Sequence, residues 1–456
     1  MKRKGFSYYT LFLFCGLLAL LCIALIVADA IFYGEPNELT DVLGRGVFVR
    51  SETVYLALFL SLLLPISIIA CTVLIWKERC GFTLNGIRKK RRRKVKEDGV
   101  RFLSLRAIDK NAKKYTAPNY YMLNLNQICE DFRNFAASKL QLYYELEDIR
   151  RFVSGFAVSH LMVMQGLSGT GKTSLATAFG EYLHNRSTVI SVQPMWKERA
   201  DVIGYFNEFT KRFSESPLLK KLYEARYTDE IYIIVLDEMN IARVEYFFAD
   251  FLSLMELAPE QRYMEVTSDS WPKDPALFEN GFFRIPENVW FIGTANNDDS
   301  TFAISDKVYD RAMVMNLNKK ASPFGSENTD GTKLSFSFFK KLTEDAVRTF
   351  SLSEQSLENV AEIDRFLQES FHITYGNRIR KQMGEYVSIY MACGGTEWDG
   401  LDDFLSKKVF RKLENQNPVV IARAADAIEE KLDELFGEEY MQESRKYLHF
   451  LKQTMC

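Results

Sequence analysis

Disulfide and zinc chemistry have little to work with in this chain. Its 456 residues include only four histidines and seven scattered cysteines, with no C-x-x-C and no H-E-x-x-H. Cys15, Cys22 and Cys71 fall in long apolar runs, so neither a disulfide framework nor a common zinc pattern is supported. No Ser-His-Asp or nuclease constellation and no internal repeat is legible. An excess of one charge is missing too: 58 Lys and Arg face 60 Asp and Glu, for a net charge of −2. The balance is uneven. Arg88–Lys96 is almost wholly basic, which leaves the rest of the chain acidic. That argues against a broad electrostatic nucleic-acid surface on the body, although a narrow basic pore is compatible with it. What is plentiful is apolar and aromatic content, 47% and 14%. The length allows one large domain, a helical domain and a linker.

The most informative stretch is LMVMQGLSGTGKTSL at 161–175. An apolar strand pattern, His160–Gln165, runs into Gly166-Leu167-Ser168-Gly169-Thr170-Gly171-Lys172-Thr173, a full G-x-x-x-x-G-K-T, and a helical pattern comes next over Thr173–Leu183. Gly166, Gly169 and Gly171 let backbone N–H groups face an anion without side chains in the way. The helix start adds its positive end. Lys172 is expected at the β- and γ-phosphates of a nucleotide and Thr173 on Mg²⁺. Leu167, Ser168, Thr170 and Ser174 complete the expected nucleotide-binding stretch.

A second motif, IYIIVLDEMN at 231–240, is a buried parallel-strand pattern ending in Asp237-Glu238. Asp237 suits the Mg²⁺ shell, and Glu238 can polarise an attacking water. A third apolar run, VWFIGTANNDD at 289–299, ends with Asn296 at its tip, placed to orient the water or touch the γ-phosphate. Arg311 then precedes a short apolar strand, and Arg378 opens a helix further on.

The order phosphate loop, acidic pair, polar strand tip, arginine and helical-domain arginine resembles the AAA+ ATPases. DEMNIARVEYFFADFLSLME at 237–256 resembles the McrB, MoxR and dynein-related branch. Asn296, Asp299, Asp306 and Arg311 fall without a gap on that branch's M-N-T-A-D-R-S pattern and the residues beyond it. The resemblance covers about residues 130–415. It implies an α/β P-loop NTPase fold with a parallel central sheet and a C-terminal helical lid. It further implies Asn296 as sensor 1, Arg311 as an arginine finger acting on the neighbouring subunit, Arg378 as sensor 2, and a homo-oligomer, expected to be a hexameric ring. The chain departs from the pattern with Asn297-Asp298 for Thr-Ala and Ser300 for Arg, and ATP is the expected nucleotide. The branch uses inserted β-hairpins as a working surface. Two segments have room for them, 196–206 and 258–288, the latter with Arg262–Val266 and Gly281–Ile285 as hairpin arms.

The amino-terminal part reads differently. Gly5–Ala28 and Thr53–Trp76 carry no charge. As helices each would run about 36 Å, enough to cross a hydrocarbon core of about 30 Å with tilt. The expectation is a hairpin of two transmembrane helices over 1–76, with spans at about 8–28 and 53–76. A cleaved signal peptide is the rival reading of the first segment. MKRK before the first span and the basic run after the second put both termini and the ATPase domain on the cytoplasmic side. The basic run reads as an anchor touching anionic lipid, with nucleic-acid contact as the alternative.

The expected layout is therefore a membrane hairpin at 1–76, a basic linker at 77–127, a nucleotide-binding domain at 128–333, and a lid with C-terminal helices at 334–456. One helix is expected over 128–156. Further helical patterns lie at 335–350, 355–369, 377–392, 400–413, 418–436 and 438–452, the last two resembling a solvated face. The expected function is a membrane-anchored ATPase that remodels a protein partner. A nucleic-acid translocase working with a separate nuclease, and a nucleotide-gated membrane scaffold, are the alternatives.

Overall fold

In the computed structural model, residues 99–112, 115, 117, 122–296, 301–319 and 321–455 are described. The chain divides into two compact units, Met1–Arg91 and Arg92–Cys456, and the described residues belong to the second. The two expected membrane spans and the basic run lie outside them. Among the described residues no helix is long and apolar enough to cross a membrane.

Five parallel strands form the centre: β1 (Leu161–Gln165), β2 (Thr188–Ser191), β5 (Tyr232–Asp237), β9 (Val289–Ala295) and β10 (Met313–Asn316), in the order β10-β1-β9-β5-β2. β1, β5 and β9 are buried almost throughout, which is why they read as unbroken apolar runs. Edge strand β2 alternates instead.

The pleat sends alternate side chains into two cores. Leu161, Val163, Ile234, Leu236, Phe291 and Val314 pack on one face. That face is covered by α1 (Ser104–Ala112), α6 (Pro217–Ala225), α7 (Val244–Phe247) and α8 (Ala249–Leu254). Met162, Met164, Ile233, Val235, Trp290, Ile292 and Met315 pack on the other face, against α2 (Leu125–Leu140), α3 (Leu146–Val158), α4 (Lys172–Tyr182) and α10 (Phe336–Thr349). A third core lies among α11 (Glu354–Phe371), α12 (Asn377–Ala392), α13 (Glu397–Phe404), α14 (Pro418–Phe436) and α15 (Gln442–Met455). The class is α/β with a parallel central sheet and C-terminal helices, as expected.

Three local expectations change. The single helix over 128–156 is two helices, α2 and α3. Gln141 turns left-handed at φ 56° and its N–H returns to the Ala136 carbonyl, which ends the first helix although the apolar spacing continues past it. The helix over 400–413 is α13, then a π turn at Leu405–Val409, then a 3₁₀ stretch at Phe410–Asn415. The wide turn carries Lys407 and Lys408, both buried. Third, α14 and α15 are not wholly solvated: Ile421, Ala424, Ile428, Leu432, Leu448 and Leu451 enter the third core.

Residues 99–112, inside the stretch read as linker, pack on the domain. Phe102 and Leu105 are fully buried. Phe102 stacks on Phe213 and meets Phe278 edge-on.

Candidate functional site

The carboxyl ends of three neighbouring strands converge. Gln165 of β1 is level with Ala295 of β9, and Leu236 of β5 with Gly293 of β9. The loop after β1, the Asp237-Glu238 pair and Asn296 therefore emerge side by side, where open α/β sheets take ligands.

Close approach shapes the loop. A Cβ on Gly166 would lie 2.3 Å from the Leu317 carbonyl oxygen, and Gly171 adopts φ 94° as the residue before α4. Lys172 is buried at the start of α4, and its Nζ donates to the carbonyls of Gly166 and Leu167, both at 2.8 Å. Burial pushes its amine down, while Asp237 and Glu238 act in the opposite direction. Thr173 Oγ1 donates to Asp237 Oδ1 at 2.7 Å. The same carboxylate oxygen accepts from Thr294 Oγ1 at 2.9 Å. A hydroxyl and a carboxylate held this close, beside a glycine loop, form a hard-oxygen donor set of the kind Mg²⁺ takes.

Glu238 sits in the left-handed region at φ 53°, with its N–H donating to Thr294 Oγ1 at 2.9 Å. That turn separates its side chain from that of Asp237. Asn240 Nδ2 donates to the Asn296 carbonyl at 2.9 Å and to Thr301 Oγ1 at 3.0 Å, pinning the tip of β9. Residues 297–300, including Asp299, lie outside the described residues. Thr294, Asn240 and Tyr144, whose hydroxyl donates to the Gly171 carbonyl at 3.3 Å, do not stand out in the sequence. Only Asn240 carries a signal there, its place two residues after the acidic pair.

The two arginines are elsewhere. Met313 of β10 pairs with Met162 of β1, so Arg311 is level with His160 at the amino end of the sheet, and its carbonyl accepts from Ser159 Oγ at 2.9 Å. Its guanidinium pairs with Glu256 at 2.7 Å and donates to the Lys307 carbonyl at 2.7 Å. Arg378, near the start of α12, pairs with the same Glu256 oxygen at 2.5 Å. Burial alone would raise the Glu256 carboxyl; Arg311 and Arg378 outweigh it and hold it below the usual range. No spacing in the sequence marks Glu256 as their meeting point.

Two hairpins stand on the core. β3 (Gly204–Asn207) pairs antiparallel with β4 (Arg212–Glu215), and their turn leaves Phe209 99% exposed, with Tyr205 57% exposed on the strand. β6 (Tyr263–Glu265), β8 (Phe282–Arg284) and β7 (Phe278–Glu279) form a three-stranded antiparallel sheet, β6 and β8 lying on the expected arms. Arg101 links the two. Its carbonyl accepts from the Phe213 N–H at 2.8 Å. Its buried side chain forks onto Asp274 at 2.8 and 2.6 Å, reaches Asp269 at 2.7 Å, and lies over the Trp271 ring.

Comparison with known proteins adds three findings. The McrB subunit of the type IV methyl-directed restriction enzyme EcoKMcrB of Escherichia coli (strain K12) is 24% identical over 210 residues, 38% of this chain and 42% of that protein. The chain thus spans less than half the length of that relative. The crystal structure of a proposed ATPase from Cytophaga hutchinsonii superposes with a TM-score of 0.44 at 13% identity, covering 67% of this chain and 89% of that one. Residues 161–312 match the AAA domain of the dynein-related subfamily, and that match supports ATPase activity.

Proposed function

We propose that the chain is a membrane-anchored, oligomeric ATPase that couples ATP hydrolysis to remodelling of a protein partner. The observation that carries the hydrolytic part is the Thr173–Asp237 hydrogen bond at the mouth of the glycine loop, with Glu238 one residue on. Bound there, Mg²⁺ supplies charge neutralisation to the phosphates. The loop N–H groups and Lys172 bind and orient the phosphates. Glu238 takes the proton of the attacking water. Asn296 orients that water.

Arg311 serves the neighbouring subunit. Arg311 is level with His160 and the loop begins at Gly166, so their backbones are roughly 20 Å apart at about 3.3 Å per residue. That is beyond an arginine's reach within one chain. A ring in which each subunit offers Arg311 to the next fits this distance, with Arg378 kept as the lid's sensor 2, and a hexamer is the expected number.

Membrane attachment rests on the two uncharged runs at 5–28 and 53–76, with both termini on the cytoplasmic side and the basic run against anionic lipid. The exposed Phe209 and Tyr205 of the first hairpin supply an aromatic surface for an extended partner. The likeness to a restriction-enzyme subunit favours a second reading, nucleotide-driven translocation of nucleic acid for a separate nuclease.

The test is Mg²⁺-dependent ATP hydrolysis by the full chain in detergent. Absence of turnover that Lys172→Ala removes would end the ATPase reading. Salt-sensitive stimulation by DNA would select the second reading over protein remodelling, and stimulation by a co-purifying protein would do the reverse.

A further inference from the structure

Lys408 lies in the π turn at Leu405–Val409 and is only 5% exposed. Its Nζ donates to the carbonyls of Tyr309 at 2.6 Å and Ala312 at 2.7 Å. Those two carbonyls flank Arg311. The same segment is held at two further points from the C-terminal helices. Asn415 Nδ2 donates to Asp306 Oδ2 at 2.7 Å, and the Arg411 guanidinium lies over the Tyr309 ring. From the opposite side, the Gln165 side-chain amide donates to the Tyr309 hydroxyl. Gln165 is the last residue of β1, directly before the glycine loop.

A buried amine is a costly way to fill space. Burial pushes Lys408 down to about 7, against the pull of Asp310 and with Arg411, Lys412 and Arg378 adding to the push. A methionine would occupy the same volume with no charge to desolvate. What the lysine adds is a pair of directed hydrogen bonds, one on each side of Arg311. Wide turns inside helices are rare and concentrate at functional sites.

We propose that Lys408 is a positioning residue: it fixes the backbone on both sides of Arg311 and, through Tyr309 and Gln165, ties the aim of that arginine to the glycine loop of its own subunit. The inference rests on the reading of Arg311 as a donor to the neighbouring pocket. Its consequence is directional. A shift of the loop in one subunit moves Tyr309, and with it the arginine offered to the next.

The experiment uses the full chain in detergent, with turnover and the Kd of a fluorescent ATP analogue read in parallel. Lys408→Met should lower turnover by about 10²-fold, the loss expected from misplacing a group by about 1 Å. Nucleotide Kd should stay unchanged, because Lys172 and the loop are untouched. The double variant Arg311→Ala/Lys408→Met should be no slower than Arg311→Ala. Wild-type turnover in Lys408→Met, or a double variant well below Arg311→Ala, overturns the proposal. Asn415→Leu, at an exposed hydrogen bond, decides the matter should Lys408→Met fail to fold. It should lower turnover several-fold at constant Kd, and full turnover overturns the grip on this segment. If Arg311→Ala itself turns over at the wild-type rate, the reading of Arg311 fails instead, a separate result.

Discussion

The two ends of the central sheet are built on different principles. At the carboxyl end the cations and hydroxyls pair within one chain, although Asn240 Oδ1 is buried without a hydrogen-bond partner. Lys172 is taken up by two loop carbonyls, Thr173 and Thr294 share Asp237, and Asn240 pins the strand tip. At the amino end two guanidiniums, Arg311 and Arg378, meet one carboxylate, Glu256. Arg311 Nε is buried with no hydrogen-bond partner. A buried donor without a partner and an extra positive charge are both costly, which fits the proposed delivery of Arg311 to an anion on a neighbouring subunit. On the proposed reading one end is a pocket and the other a plug, brought together by a second copy of the chain.

The largest expected effect tests that pairing. Arg311→Ala should bind ATP and lose about 10³–10⁵ in turnover, the range for an arginine supplied in trans. Co-expression with Lys172→Ala should restore part of the activity, since one subunit keeps the plug and the other the pocket. Full activity of Arg311→Ala in dilute, monomeric protein would leave the two ends unrelated. Next comes the pocket itself. Glu238→Gln should keep nucleotide affinity and lose about 10²–10⁴ in turnover, the range for general-base catalysis, whereas Lys172→Ala should lose affinity. Wild-type hydrolysis by Glu238→Gln would remove the acidic pair from the chemistry.

A smaller effect sharpens the plug. Glu256→Gln leaves the arginines without their shared charge, and turnover should drop by about tenfold, less than the loss from full misplacement. A rise in turnover would mean that Glu256 restrains the arginines instead of aiming them. The smallest effect concerns acid stability at the amino end. Burial first, with the nearby Arg262 and Lys340, pushes His160 down to about 4, against the pull of the Val289 carbonyl. The unfolded chain therefore binds the extra proton between pH about 6.5 and about 4, and stability falls as the pH drops through that window. Thermal midpoints of His160→Asn should slope less over that range. An unchanged slope would assign the acid sensitivity to other groups.

Legibility in the sequence divides along the same line. β1, β5 and β9 are covered on both faces, so their apolar runs are visible, and the pocket residues sit at the strand ends within short motifs. The plug is assembled from α9 (Asp306–Tyr309) and the residues after it, the start of α12, and Glu256 beyond α8, segments far apart in the chain with no shared pattern. Lys408 is hidden inside an apparent helix because Leu401, Leu405, Val409 and Leu413 keep a spacing of four across the π turn. The break at Gln141 is hidden for a related reason: Leu140 and Leu142 continue the apolar series across it. The stretch at 99–112 resembles a linker since only two of its apolar residues, Phe102 and Leu105, are fully buried, and its other anchors are the polar Arg101 and Asp109.

Arg101 has a mechanical consequence. Tension on the chain upstream of Gly99 reaches the β3–β4 and β6–β8 hairpins before any other element, through the Phe213 bond on one side and the fork onto Asp274 on the other. The fork holds Asp274 by two bonds at once, so a pull along their common direction loads both together. Phe102 and Phe213 share a core with Val163 of β1 and Leu236 of β5, so a pull that outlasted the hairpins would be felt next by the strands that carry the pocket.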